Sequence, residues 1–191
     1  MQSRMAGIAC SGALALLLLG CSVALADEAA VQATWTAREF RYTYQGFTAK
    51  YSCDGLSDRI RAVLLLLGAR KADLTVAPTG CSGGFGQATL FPGVAVKMSV
   101  LTPVEEKGAD TEPVAAVWRN VDVPRRQPLA AAGDCELTEQ IKAKILPLFA
   151  TRNVEYTSTC VPHQLTPGGT TLKADVLVPA PPAPPAAAPG G

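Results

Sequence analysis

The chain has 191 residues, of which 17% are charged, and its formal net charge at pH 7 is +1. This length permits one domain or two very small ones. A net charge near zero provides no broad positive field to attract phosphate groups, so nucleic-acid binding is not expected.

The first 26 residues have the pattern of an export signal. Arg4 gives a short basic region, residues 8–19 form an apolar run, and Ala-Leu-Ala at 24–26 places small side chains where a leader peptidase reads them. The apolar run is shorter than the roughly 20 residues that a spanning helix needs. The sequence therefore predicts cleavage before Asp27, no membrane span, and a periplasmic or secreted protein with 16 basic and 16 acidic side chains.

A second kind of processing stays open at the end of this leader. Leu-Leu-Gly-Cys at 18–21 resembles a bacterial lipobox, in which the cysteine becomes the lipidated first residue. The middle leucine fits that motif poorly, and residues 24–26 lie at a better distance from the apolar run. Soluble export is the preferred interpretation, and a lipoprotein anchored through Cys21 is the alternative.

Two of the six cysteines, Cys10 and Cys21, fall in the predicted leader. The four that remain in an exported chain predict two structural disulfides, with three possible connectivities. None of them forms a C-x-x-C pair, so the motif for thiol exchange or haem attachment is missing. The sequence has one histidine, which argues against an ordinary Cys/His zinc site, and we expect no cofactor. The remaining cysteines are Cys53, Cys81, Cys135 and Cys160.

Blocks of the first half of the mature chain recur in the same order in the second half, which indicates an internal repeat. Each copy contains one strand pattern, one helix pattern and two further strand patterns. We therefore predict a single α+β domain over 27–178, made of two β-α-β-β units at about 33–103 and 113–179. The matching blocks are 53–62 with 135–143 and 96–103 with 172–179, and Ala-Val-Trp at 116–118 weakly echoes Ala-Thr-Trp at 33–35.

The first strand pattern precedes the first helix. Aromatic residues alternate with polar residues over 40–44 and again, in the opposite phase, over 47–51. Gly46 stands where the phase changes, which indicates a bulge or a tight turn. The other strand patterns are 73–77 and 94–101 in the first unit, and 114–123, 154–159 and 171–178 in the second.

Each unit has one stretch in which apolar residues recur at helical spacing. Asp54 is the candidate N-cap of the first helix, and Gly68 is its candidate stop. Asp134 is the candidate N-cap of the second helix. Pro147 lies late in the second helix and should kink it or end it early, because proline lacks the backbone donor that a helix interior needs.

Geometry selects one disulfide connectivity. A helix of about 14 residues rises roughly 21 Å, and a strand of about seven residues returns a similar distance. A cysteine at a helix start should therefore meet the cysteine at the end of the next strand. This predicts Cys53–Cys81 and Cys135–Cys160, each closing a loop of roughly 25–30 residues that contributes about 3–4 kcal/mol.

We expect both helices to pack on one face of a mostly antiparallel sheet. The aromatic side chains near the first strand are expected to be core, although the opposite face, if it carried them, would be solvated or a binding surface. These residues are Trp35, Tyr42, Tyr44, Phe47 and Tyr51. The Pro-rich stretch 179–191 cannot form a core and is predicted to be a disordered, partly polyproline tail.

No catalytic, cofactor or metal site is predicted, and an enzyme is not the preferred class. The single histidine, His163, has no recognisable nucleophile motif to serve, and the acidic residues in 105–110 have the character of a solvated turn. The glycine-rich stretch 82–86 lacks the Lys-Ser/Thr ending of a phosphate loop. It is predicted to be a flexible loop on which Phe85, with Phe91 nearby, could contact a partner.

Three segments carry a resemblance to a known group of proteins. They are Tyr-Ser-Cys-Asp-Gly-Leu at 51–56, Leu-Leu-Gly-Ala-Arg at 66–70 and Ala-Gly-Asp-Cys-Glu-Leu at 132–137. The chain resembles a family of short uncharacterised exported proteins of Gram-negative bacteria, over most of its mature part. The resemblance implies an extracytoplasmic compartment and carries no activity, cofactor or site.

The preferred functional hypothesis is a non-enzymatic exported module that binds a protein or an envelope component. The alternatives are a small envelope enzyme or an inhibitor with an unrecognised site, and a lipid-anchored structural protein of the envelope. An enzyme would need a concave pocket with convergent polar groups. The lipid-anchored protein would need a modified Cys21.

Overall fold

The computed structural model describes residues 30–47, 49–81, 88–104, 112–123, 131–161 and 169–182. The predicted leader lies outside these ranges. Within them, the chain order of a strand, a helix and two strands occurs twice. The elements are β1 (Val31–Thr43), α1 (Cys53–Leu66), β2 (Thr75–Thr79), β3 (Gly93–Pro103), β4 (Val114–Asp122), α2 (Ala131–Gln140), β5 (Thr151–Ser158) and β6 (Thr170–Pro179).

The described strands form one antiparallel sheet in the order β2-β3-β1-β4-β6-β5. This order reads the same from both edges when each strand is replaced by its counterpart in the other half. Two backbone hydrogen bonds also occupy corresponding places in the two halves. Val104 N, just after β3, donates to Gln32 O at 3.0 Å, and Ala180 N, just after β6, donates to Ala115 O at 2.9 Å. Both helices pack on one face of the sheet, so the predicted α+β architecture is confirmed.

Helix α1 begins and ends through residue-specific capping. The Ser52 hydroxyl accepts from Gly55 N at 3.1 Å, so Ser52 is the N-cap and the prediction of Asp54 was wrong. Ser52 has the extended backbone that an N-cap requires, whereas Asp54 already lies in the first turn. Gly68 has a φ of +99°, and Ala69 N donates to Leu64 O at 2.9 Å. This closure confirms Gly68 as the helix stop.

Helix α2 loses its regular geometry where the sequence places a proline. After Gln140 the chain continues through a π-helical turn, Ile141–Ile145, and a 3₁₀ turn, Leu146–Leu148, that contains Pro147. Phe149 is already extended. Pro147 therefore ends the helix as predicted, because it cannot donate to a preceding carbonyl. The side chain of Asp134, the candidate cap, lies outside what the structure describes.

The main core lies between the helices and the sheet. Tyr42 and Tyr44 belong to it, with 3% and 1% of their surfaces exposed, so the alternating tyrosines of β1 point toward the helices. The expectation that these tyrosines are core residues is confirmed, and the alternative that the helix-free face carries them is wrong, because α2 covers them. Other members of this core are Leu56, Ile60 and Leu64 from α1, Ile141 and Ile145 from the turn after α2, and Val94, Val96, Leu172 and Ala174 from the strands.

Polar contacts attach α2 to the segment that follows β1. The Tyr44 hydroxyl donates to Glu136 Oε2 at 3.2 Å, and Gln140 Nε2 donates to Gln45 O at 2.7 Å. Burial, with a smaller contribution from the Glu136 carboxylate, raises the pKa of Tyr44, so this hydroxyl remains a donor. A side chain at Gly46 would collide with the Tyr44 hydroxyl. Gly46 therefore lets the chain turn across Tyr44 and leave the sheet.

The two disulfides join Cys53 to Cys81 and Cys135 to Cys160, with Cα–Cα distances of 6.0 Å and 6.1 Å. The predicted connectivity is confirmed. The first bond ties the start of α1 to the residues just after β2, and the second ties α2 to the residues just after β5. Each half of the domain is thus closed on itself.

We predict that Cys135→Ala combined with Cys160→Ala lowers the free energy of unfolding by about 3 kcal/mol, because a closed loop of this size restricts the unfolded chain. Urea unfolding of the oxidised proteins measures the loss. Under reducing conditions, which open both disulfides of the wild type and the remaining disulfide of the variant, the two proteins should have similar stability. A peptide map of the non-reduced protein that joined Cys53 to Cys135 or Cys160 would contradict the assignment.

Candidate binding surfaces

Several residues that the sequence singled out lie outside the described ranges. These are His163, Phe85, the glycine-rich stretch 82–86 and the acidic turn 105–110. Among the residues that the structure does describe, no group of three or more His, Cys, Asp or Glu side chains could hold a metal ion. The described surface instead offers two apolar features.

The first feature is a corner at the end of β1 and the start of β3, called here the apolar corner and formed by Phe47, Leu90 and Phe91. Their surfaces are 75%, 72% and 61% exposed. Phe91 was predicted as a contact residue and is accessible for contact. Phe47 was expected in the core and is exposed instead, because the chain has left the sheet after Gly46.

Backbone contacts hold the two segments of the apolar corner together at both ends. Tyr44 N donates to Pro92 O at 2.9 Å, and Thr89 N donates to Tyr51 O at 3.2 Å. Gly80, with a φ of +70°, lets the end of β2 approach the Phe91 carbonyl, where a side chain would lie only 2.7 Å from the oxygen. The next residue is Cys81 of the first disulfide. The corner therefore presents its exposed side chains from a tethered backbone.

The second feature lies on the helix-free face of the sheet. Four side chains on this face are buried, and half-buried Trp35 and Trp118 pack against them. In the sheet register Trp35 lies opposite Leu101, and Trp118 lies opposite Leu177, so the two indoles occupy corresponding places in the two halves. The buried side chains are Ala33, Leu101, Ala116 and Leu177. The repeated Ala-x-Trp pattern was the sequence signal for this face.

An arginine lies over each indole. The guanidinium of Arg70 is 5.4 Å from the Trp35 ring centroid, and that of Arg152 is 4.6 Å from the Trp118 ring centroid. Arg70 lies between α1 and β2, and Arg152 is the second residue of β5, so both arginines come from the chain that follows a helix. Such a cation–π contact contributes about 0.5–1 kcal/mol at an exposed site.

Polar side chains fill the surroundings of Trp118. Asp175 Oδ2 accepts from Arg152 Nε at 3.3 Å and from Asn153 Nδ2 at 2.7 Å, while Asp175 Oδ1 accepts from Asn120 Nδ2 at 2.8 Å. Asn153 has a φ of +51° at the β-bulge of β5, which directs its amide to this carboxylate. The hydrogen bonds from Asn120 and Asn153, together with Arg152, hold the pKa of Asp175 below its usual value.

The surroundings of Trp35 are open. The cross-strand pair that corresponds to Asn120 and Asp175 is Ala37 with Ser99, two small side chains. A cavity of about 500 Å³ lies beside Trp35. It is lined by Trp35, Arg70, Glu112, Pro113 and Val114. Among the described residues, a small cross-strand pair thus stands where the other half has a polar cluster, and the cavity lies beside Trp35 toward the start of β4.

Comparison with protein-family models, curated proteins and solved structures finds no match for this chain. In the described part of the chain, neither helix is long and apolar enough to cross a membrane. The two disulfides are compatible with an oxidising compartment outside the cytoplasm.

We predict that Asp175→Asn destabilises the protein at neutral pH and that the difference from wild type narrows in acid. A carboxylate with a lowered folded-state pKa stabilises the fold above its unfolded pKa, near 3.9, and loses that contribution as the pH falls through the folded value. Urea unfolding at several pH values between 7 and 3 measures this. Asp58→Asn, on an exposed part of α1, is the matched control. A difference from wild type that stays constant with pH would contradict the prediction.

Proposed function

We propose that this chain is an exported binding module, periplasmic or secreted after loss of residues 1–26, that captures a protein or an envelope component without catalysing a reaction. The observation that carries the proposal is the apolar corner, where Phe47, Leu90 and Phe91 are each more than 60% exposed. Grouped, exposed aromatic and aliphatic side chains are typical of protein-contact sites, where buried anchors supply most of the binding energy.

The tethering of the corner supports the same proposal. Its backbone is held at both ends by hydrogen bonds and lies beside the Cys53–Cys81 disulfide. Because folding has already ordered these segments, a partner that covers them loses less conformational freedom on binding. An inhibitor would use such a pre-ordered corner in the same way. This form of the proposal is tested by measuring whether the protein inhibits the activity of a captured partner.

We further propose that the two halves arose as an internal repeat. The support is the recurring β-α-β-β order, the symmetric strand order and the corresponding places of the two Trp–Arg pairs. The resemblance to exported proteins of Gram-negative bacteria and the disulfides support the compartment. Mass spectrometry of the mature N-terminus distinguishes cleavage before Asp27 from lipidation of Cys21.

The test of partner capture is photo-cross-linking in the periplasm. A photoreactive amino acid at position 91 should yield specific adducts, whereas the same group at position 154 should not. Val154 is a suitable control because it is 44% exposed on the opposite half of the sheet.

Substitution of the corner completes this test. Phe47→Ser, Leu90→Ser and Phe91→Ser together should abolish capture and leave the melting temperature close to that of wild type, since all three side chains are exposed. Val154→Ser with Val161→Ser is the matched surface control and should capture normally. Capture of the same partners by the triple variant would show that the apolar corner is not the contact site.

A further inference from the structure

We propose that the Trp35 cavity is a binding site for a proline-rich segment in the polyproline II conformation, and that its occupant is the chain's own tail, residues 183–191. This site is separate from the apolar corner, and the inference does not depend on partner capture. It rests on the lining of the cavity, on the direction in which the chain leaves β6, and on the composition of the tail.

The chain leaves β6 toward the cavity. Pro179 lies opposite Ala116, and Ala180 N donates to Ala115 O at 2.9 Å. The pairing is antiparallel, so each further residue of the tail advances one residue toward the start of β4. In continued register Pro182 comes level with Pro113, which lines the Trp35 cavity together with Glu112. Pro182 is exposed and is the last residue of the chain that the structure describes.

The remaining tail is long enough to enter. Trp35 is on β1, two strand spacings from β6, which corresponds to about 10 Å at roughly 4.8 Å per spacing. Nine residues in the polyproline II conformation extend about 28 Å, at about 3.1 Å per residue. The first residues after Pro182 therefore reach Trp35, and the rest suffices to cross the cavity toward Arg70.

The chemistry of the cavity matches the tail. Residues 180–191 contain only Ala, Pro and Gly, with five prolines and no charged side chain, so burying them removes no charge from water. Proline-rich segments bind on aromatic side chains because their rings pack on the indole face while their backbone is already extended and loses little entropy. Polyproline II carbonyls point outward without internal partners, and the Arg70 guanidinium over Trp35 is placed to donate to them.

The second half of the domain explains why one indole and not the other would be used. At Trp118, the carboxylate of Asp175 and the amides of Asn120 and Asn153 bind one another and Arg152. A neutral proline-rich chain would have to displace those charge-assisted hydrogen bonds. At Trp35 the corresponding Ala37 and Ser99 carry no charge. Arg70 forms an ion pair with Asp73 at 3.6 Å, which is longer and more exposed to solvent than the Arg152–Asp175 pair at 3.3 Å.

The experiment uses tryptophan fluorescence of the mature protein. Trp118→Phe leaves Trp35 as the reporter, and this protein is compared with the same protein ending at Pro182. We expect truncation to shift the Trp35 emission to the red and to increase its quenching by acrylamide. A synthetic peptide of residues 180–191 added to the truncated protein should reverse both changes saturably.

Competition and specificity provide the controls. Peptide added to the full-length protein should leave the Trp35 emission and quenching almost unchanged, because the tethered tail already covers the indole at an effective concentration in the millimolar range. A peptide with glycine in place of every proline should bind about tenfold more weakly, since it loses the pre-extended backbone. The Trp35→Phe protein, which reports on Trp118, should not respond to truncation.

Three results would overturn the proposal. The first is an unchanged Trp35 emission and quenching after truncation. The second is a Trp118 reporter that responds as strongly as the Trp35 reporter, which would indicate a general loosening of the fold. The third is dimerisation of the full-length protein that buries Trp35 and disappears in a Trp35→Ala variant, since a second copy would then be the occupant. In each case the cross-linking test at position 91 would still decide separately whether the apolar corner captures a partner.

Discussion

The pairing of β1 with β4 at the centre of the sheet is the contact on which the rest of this structure depends. It extends only from Val31 opposite Ala116 to Ala33 opposite Val114. Without it the two halves would be separate three-stranded sheets, each covered by a single short helix, which is too small a unit to bury a stable core. Joined there, both helices share one apolar layer on one face of a six-stranded sheet. The small side chains of Ala33 and Ala116 let Trp35 and Trp118 pack beside the joint on the other face.

Because β1 and β4 pair at the centre of the sheet, corresponding residues of the two halves lie at corresponding positions in the sheet. The side chains at these positions can therefore be compared pair by pair. The two indoles with their arginines are alike in topology. Two residues farther along, the cross-strand pair is Ala37 with Ser99 in one half and Asn120 with Asp175 in the other. Buried or half-buried carboxylates need several donors to remain charged, and Asp175 obtains them from its neighbours. The small pair forms no such cluster, and the cavity that we assign to the proline-rich tail lies beside Trp35 toward the start of β4.

Much of the architecture could be predicted from sequence because it depends on local rules. Helix spacing, the Gly68 stop and the Pro147 break could be placed from the sequence, and the lengths of a helix and a strand were enough to pair the four cysteines. The faces of β1 were not predictable in this way. Trp35 and Tyr42 lie on opposite faces, and both faces of this 13-residue strand bury apolar side chains, so alternation alone does not tell which face the helices cover. Phe47 begins a second alternation in the sequence, and only the close approach of Gly46 to the Tyr44 hydroxyl shows why the strand ends before it.

The two proposed sites can act independently because β1 separates them. Trp35 lies in β1 and Tyr44 directly follows it, nine residues farther along the chain, which corresponds to about 30 Å at roughly 3.3 Å per extended residue. They also differ in orientation, since Trp35 lies on the helix-free face and Tyr44 lies under α2. A partner bound at Phe47, Leu90 and Phe91 therefore does not need to displace a tail bound at Trp35. Linkage between the sites would require movement of β1 itself, which is paired along one side with β3 from Ala33 to Thr43.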